Sequence, residues 1–126
     1  MKLLGLSCIF PCSDIRKTAE YYEQKLGFKA VAYLQSAEPH ICIYKDDIEI
    51  ILTQANGEMK PNRLSYGYGY DAYIYVKNQC ELQEKLKKAG VKIAVPLTRT
   101  DYDNREFVIE DIDGRWIAFG LKEQSF

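Results

Sequence analysis

The chain has 126 residues, 47% of them hydrophobic and 28% charged, and a formal net charge of -1. That length suits one domain with a packed core, and a near balance of charge with no like-sign run excludes the basic footprint that grips nucleic acid. Cys8, Cys12, Cys42 and Cys80 contain no Cys-x-x-Cys pair and stand beside a single histidine, so they read as reduced thiols rather than a zinc set.

In chain order, the apolar stretch within Met1 to Cys8 is too short for a leader, and Pro11 and Cys12 follow at once. It reads as the approach to a first strand at about Leu4 to Cys12, and the protein is expected in the cytoplasm with no membrane partner. Ser13 is placed to cap a helix in which Ile15, Ala19, Tyr22 and Leu26 recur at helical spacing, closed by Gly27. Strands are expected at about Phe28 to Gln35, His40 to Tyr44 and Ile48 to Thr53. Residues 55–68 carry Asn56-Gly57, Pro61-Asn62 and Gly67, a composition that reads as a linker. The order then restarts. A strand at Asp71 to Val76 leads to a capping box at Asn78 and Glu81, a helix with Leu82, Leu86 and Ala89 on one face, and Gly90. Strands at about Lys92 to Leu97, Glu106 to Glu110 and Arg115 to Leu121 complete the second set. Gly27-Phe28-Lys29 and Gly90-Val91-Lys92 lie 90 - 27 = 63 residues apart, half the chain, which points to duplication.

Residues two apart on a strand share a face. Ala72, Ile74 and Val76 form an apolar face toward a helix, which leaves Asp71, Tyr73 and Tyr75 on the other. Ile41 and Ile43 leave His40, Cys42 and Tyr44 opposite; Ile50 and Leu52 leave Glu49, Ile51 and Thr53; Ile117 and Phe119 leave Trp116 and Ala118. The predicted lining is aromatic and polar with two carboxylates, suited to stacking and to a cationic group. Tyr44, Tyr73 and Tyr75 are equally consistent with packing on a half-exposed sheet, and Trp116 with a partly structural role. Asp71 ranks first among the charged residues, because a carboxylate on a central strand needs a partner or a wet cavity. His40 reads as a solvated imidazole, not a catalytic base. Tyr66 to Tyr70 reads as an aromatic lid or as a loop covering the module junction.

Asp14 ahead of a helix whose Tyr21-Tyr22 runs into Leu26-Gly27-Phe28, followed by Arg105-Glu106-Phe107, Asp111-Ile112-Asp113-Gly114 and Phe119-Gly120, resembles a known superfamily. It is the glyoxalase, bleomycin-resistance and extradiol-dioxygenase superfamily, also called vicinal oxygen chelate. The likeness covers nearly the whole chain and is strongest to the bleomycin-resistance branch, where the turn is usually Asp-Pro-Asp-Gly and Ile112 here replaces the proline. It implies an α+β fold of two βαβββ modules, about 1–55 and 70–126 with a linker at 56–69, each curling a mixed sheet into half of a cup within one domain. It also implies a homodimer. Metal enzymes of the superfamily place one ligand on the first and last strand of each module, positions that fall on Ser7, Ile51, Asp71 and Ala118. Ile51 and Ala118 have no donor atom, and a catalytic metal needs about three protein ligands, so neither a metal nor another cofactor is expected. In the bleomycin-resistance branch a tryptophan near the ligand precedes the Arg-Glu-Phe stretch; Tyr102 stands there.

The resemblance and the predicted lining together suggest a metal-free binding protein that sequesters a small aromatic or cationic molecule in a cleft at a dimer interface, with no catalytic residue. Its expected ligand-binding residues are Asp71, Trp116, Tyr102, Glu49, Tyr73, Tyr75, Tyr44, Ser7, Ile51 and Ala118. The alternative is a glyoxalase-like lyase, isomerase or dioxygenase, which leaves enzymatic activity open.

Overall fold

The computed structural model describes residues 1–123. They fall into two units, Met1–Met59 and Lys60 onward, and in both a strand, a helix and three further strands follow in that order.

In the first unit, β1 spans Cys8–Cys12, α1 Ile15–Leu26, β2 Lys29–Tyr33, β3 His40–Lys45 and β4 Ile48–Gln54. The first strand begins at Cys8, later than the expected Leu4, because residues 1–7 find no ladder partner. The helix is capped by Asp14, one residue beyond the expected Ser13. An Asp14 carboxylate oxygen accepts from the amides of Arg16 at 3.1 Å and Lys17 at 3.2 Å, satisfying donors that have no partner within the helix. Gly27 ends it as expected, in the left-handed region at φ 75°, and its amide bonds the Tyr22 carbonyl. The stripe Ile15, Thr18, Ala19, Tyr22 and Leu26 is buried. Helix α1 packs on the sheet β1-β4-β3-β2, in which β1 runs parallel to β4 and the other pairs are antiparallel. Tyr22, 1% exposed, meets Phe28 edge-on at 5.5 Å, and Ile41, Ile43, Ile50 and Leu52 complete the core. Each such aliphatic side chain removed from water contributes about 1.5–3 kcal/mol.

In the second unit, α2 (Asn62–Tyr66) precedes β5 (Ala72–Tyr75), α3 (Gln79–Lys88), β6 (Lys92–Arg99), β7 (Asn104–Glu110) and β8 (Trp116–Lys122). Helix α2 lies where the sequence suggested only a linker. Its five residues are too few for periodicity to register, and Gly67 at φ 93° closes it. The sheet order β5-β8-β7-β6 repeats that of the first unit, with β5 parallel to β8. Asn78 stands at the start of α3 but makes no capping hydrogen bond, so the expected box with Glu81 does not form. Instead, the Gln79 side-chain amide donates to the Val76 carbonyl at 2.9 Å. Pro96 has no amide hydrogen for the ladder, and the β6–β7 register slips between Ile93, Val95 and Thr98. The Gln83 side-chain oxygen on α3 accepts from the amide of Leu97 there, at 2.7 Å.

The closing hairpin turns on Asp111. One of its carboxylate oxygens accepts from the amides of Asp113 (2.9 Å) and Arg115 (3.0 Å), and the other meets the Arg115 guanidinium at 2.9 Å. Asp113 joins the same guanidinium at 3.2 Å. Gly114 takes φ 83°, and Ile112 is 49% exposed. No helix among the described residues is long and apolar enough to cross a membrane.

Candidate functional site: an aromatic cleft beside a buried carboxylate

Register fixes which side chains of the second sheet share a face. Phe107 lies opposite Phe119 and Ile109 opposite Ile117, with the two phenylalanine rings stacked at 5.2 Å. The other face therefore carries Glu106, Val108 and Glu110 from β7 beside Gly120, Ala118 and Trp116 from β8, and β5 sets Tyr73 against Ala118.

Glu106 is 2% exposed. Tyr73 and Tyr102 donate their hydroxyls to its Oε1, and Tyr70 donates to Oε2, each at 2.8 Å. The Asn104 side-chain amide donates to the Tyr73 hydroxyl, also at 2.8 Å. Gly120 makes this arrangement possible. A Cβ there would stand 2.6 Å from the Glu106 Cβ and 2.9 Å from the Arg105 carbonyl oxygen, and would collide with the Tyr73 hydroxyl. Burial pushes the phenols of Tyr70, Tyr73 and Tyr102 above the usual tyrosine value, and the Glu106 carboxylate pushes them the same way.

Farther along β7, Glu110 gathers a second set of groups. The Trp116 indole N–H donates to its Oε1 at 3.1 Å, and Arg63 on α2 reaches the same oxygen at 3.3 Å. The Arg63 guanidinium lies 4.5 Å above the indole ring and also donates to the Gly114 carbonyl. Lys92 meets Oε2 at 3.2 Å. Burial alone would raise the Glu110 pKa. Hydrogen bonds from Trp116 and Lys92, with the charges of Lys92 and Arg63, outweigh it and hold the carboxyl below the usual range.

Between these two carboxylates opens a cleft of about 710 Å³ lined by Tyr68, Tyr70, Tyr102, Trp116, Arg63 and Leu64, with Gly67 and Gly69 in its wall. Of the expected site residues, Trp116 and Tyr102 line it. Tyr73 shares Glu106 with Tyr102 without lining the cleft, and Tyr75 is 72% exposed. Asp71 is held by backbone: it accepts from the amides of Asn62 (3.1 Å) and Trp116 (3.2 Å), and so anchors the start of α2 and of β8. Ala118 is fully buried between Tyr73 and Val108.

The remaining expected residues belong to the first unit. Ser7 donates to Glu49 at 2.6 Å, and Tyr44, opposite Glu49 in the β3–β4 pair, hydrogen-bonds the same carboxylate. These bonds lower the Glu49 pKa, Ser7 most, while the Glu49 bond is the main cause that raises Tyr44. Ile51 sits in register between Ile9 and Cys42.

Sequence reasoning missed Glu106, Glu110 and Arg63. Alternation along β7 puts Glu106 and Glu110 on one face, but only the β7–β8 register sets them opposite Gly120 and Trp116. Tyr68 and Tyr70 lay in the stretch read as a lid or junction cover, and both line the cleft.

The positions at which metal enzymes of the resembled superfamily carry ligands do not suit a metal. Ile51 and Ala118 lack a donor atom, and both Asp71 oxygens are engaged by amides. No group of three or more His, Cys, Asp or Glu among the described residues could hold a metal ion.

Two βαβββ units of this order, each a four-stranded mixed sheet with helices, define a class of α+β proteins. The family model described as the Glyoxalase/Bleomycin resistance protein/Dioxygenase superfamily matches residues 6–119, and the chain belongs to that superfamily. Solved structures agree in fold. A glyoxalase-related enzyme from Clostridium phytofermentans superposes with a TM-score of 0.75 at 17% identity, over 98% of each chain. A superfamily member from Sphaerobacter thermophilus gives 0.72 at 18% identity, over 94% of this chain and 97% of that one. An integron cassette protein from the V. cholerae mobile metagenome gives 0.66 at 25% identity, over 95% and 96%. No curated protein matches this sequence.

Proposed function

We propose that the protein is a metal-free binder of the bleomycin-resistance type, which sequesters a small aromatic or cationic molecule in a cleft and performs no chemistry on it. The observation that carries this reading is the single cleft onto which Tyr68, Tyr70, Tyr102 and Trp116 all open. Its volume of about 710 Å³ lies within the range that small-molecule sites occupy. Rings with few rotatable bonds supply contact area at small entropic cost, which suits capture. Lyase, isomerase or dioxygenase chemistry of the superfamily's metal enzymes would need donors that Ile51 and Ala118 do not have. We further propose a homodimer in which a second copy completes the cleft. A cytoplasmic location fits the four free cysteines.

Trp116 is the only tryptophan, so its emission reports on the cleft directly. Titration with planar heteroaromatic compounds should quench that emission saturably. Tyr102→Ala should weaken such binding by roughly threefold to tenfold, the loss expected for one stacked ring. Elemental analysis of the purified protein should find no stoichiometric metal. One tightly held metal ion per chain, together with no saturable quenching by any compound, would refute the proposal.

A further inference from the structure

Behind the Tyr70 and Tyr102 end of the cleft stands a carboxylate with no charged hydrogen-bond partner. Glu106 is almost completely buried, and its hydrogen-bond partners are three neutral phenols, with no lysine or arginine among them. Hydroxyl dipoles stabilise a carboxylate locally but leave its net charge in place. Two of those phenols, on Tyr70 and Tyr102, belong to side chains that line the cleft, so the carboxylate lies one hydrogen bond behind the cleft wall. Arg63, the basic residue of the lining, is already paired with Glu110 and laid on Trp116. Because Glu110 is shared with Lys92, the Arg63 and Trp116 end keeps a net positive charge, and the end that can favour a cation is the one formed by Tyr70 and Tyr102.

We infer that Glu106 is a specificity-determining residue that makes the cleft select planar organic cations over neutral molecules of the same shape. This deepens the binding reading above and rests on it. Tyr68, Tyr70 and Tyr102 line the cleft, an aromatic ring attracts a cation to its face, and the charge behind Tyr70 and Tyr102, in a medium less polar than water, strengthens the attraction. Glu106 acts through Tyr70 and Tyr102, whose hydroxyl orientation it also sets, and contact with the ligand is left to the rings. The two acidic residues favoured by sequence are otherwise engaged: Asp71 with backbone amides, and Glu49 with Ser7 and Tyr44 in the first unit.

Quinoline and N-methylquinolinium differ by one methyl group and one charge and provide the test at neutral pH by calorimetric titration. The wild-type protein should prefer the cation by at least about tenfold. Glu106→Gln should lose most of that preference, and Glu106→Asp, which keeps the charge, should retain it. Equal affinities in the wild type overturn the inference while leaving the binding reading intact. A preference that survives in Glu106→Gln assigns the selectivity to the rings alone and also overturns it. Failure of both probes to bind overturns the inference, whereas the binding reading falls only to the metal and quenching outcome given above. Should Glu106→Gln not fold, Asp71→Asn decides: an unchanged preference supports Glu106, and its loss moves the selecting charge to Asp71.

Discussion

Four tyrosines and two glutamates, Glu49 and Glu110, respond to pH in opposite directions. The phenols of Tyr70, Tyr73 and Tyr102 are raised by burial and by Glu106, and that of Tyr44 chiefly by its bond to Glu49. A phenol raised in the fold keeps its proton where the unfolded chain has lost it. Its stabilising contribution is complete below the ordinary phenol value and is lost as pH rises through the folded one. Spectrophotometric titration should therefore show a late stage of tyrosinate formation that includes Tyr44, Tyr70, Tyr73 and Tyr102, alongside loss of structure. One stage at the ordinary value for all ten tyrosines would contradict the network. Glu49 and Glu110 are lowered and have the reverse sign: their contribution is present above the unfolded carboxylate value and disappears as pH falls through the folded one.

Helices α1 and α3 occupy equivalent places in the two units but start differently. Asp14 accepts two amide hydrogen bonds, whereas the Asn78 side chain accepts none at its helix. Asp14→Ala should cost about 1 kcal/mol in urea unfolding, and Asn78→Ala should be nearly neutral. Equal losses at the two sites would refute the difference. Much of this level was legible in the sequence. The stripe Ile15, Ala19, Tyr22 and Leu26 fell on the buried side of α1, Gly27 closed it, and Ile41, Ile43, Ile50 and Leu52 are core. Expectation and structure part where local chemistry is degenerate: Ser13 and Asp14 are both capping residues and adjacent, and α2, at five residues, is shorter than the stretch over which helical periodicity registers. The site was less legible because it depends on side chains far apart in sequence. Trp116 and Tyr102 could be named from alternation and family likeness, but Tyr70, Tyr73 and Tyr102 converge on Glu106 only through strand register and loop path.

Across the whole molecule, the two units share one strand order and one parallel pairing, β1 with β4 and β5 with β8, as the half-length offset of the two glycines suggested. Their polar clusters have diverged. The first unit holds Glu49 with Ser7 and Tyr44, and the second holds Glu106 with three tyrosines. Leu3, Leu4 and Leu6 are each at least 88% exposed in the single chain, an apolar surface consistent with the proposed dimer. Sedimentation velocity should find twice the mass of the 126-residue chain, and Leu4→Lys with Leu6→Lys should shift the population toward monomer. A monomer at all concentrations would remove the partner copy from the cleft.

The missing side chain at Gly120 carries an evolutionary consequence. The Tyr73 hydroxyl and the Glu106 stem fill the volume that a Cβ would take, so these three positions can change only in concert. Among relatives, an alanine or larger residue at the Gly120 position should coincide with a smaller or apolar partner at Tyr73 or Glu106. Lineages that keep the glycine, the tyrosine and the glutamate together would be those that inherited the same preference in what they capture.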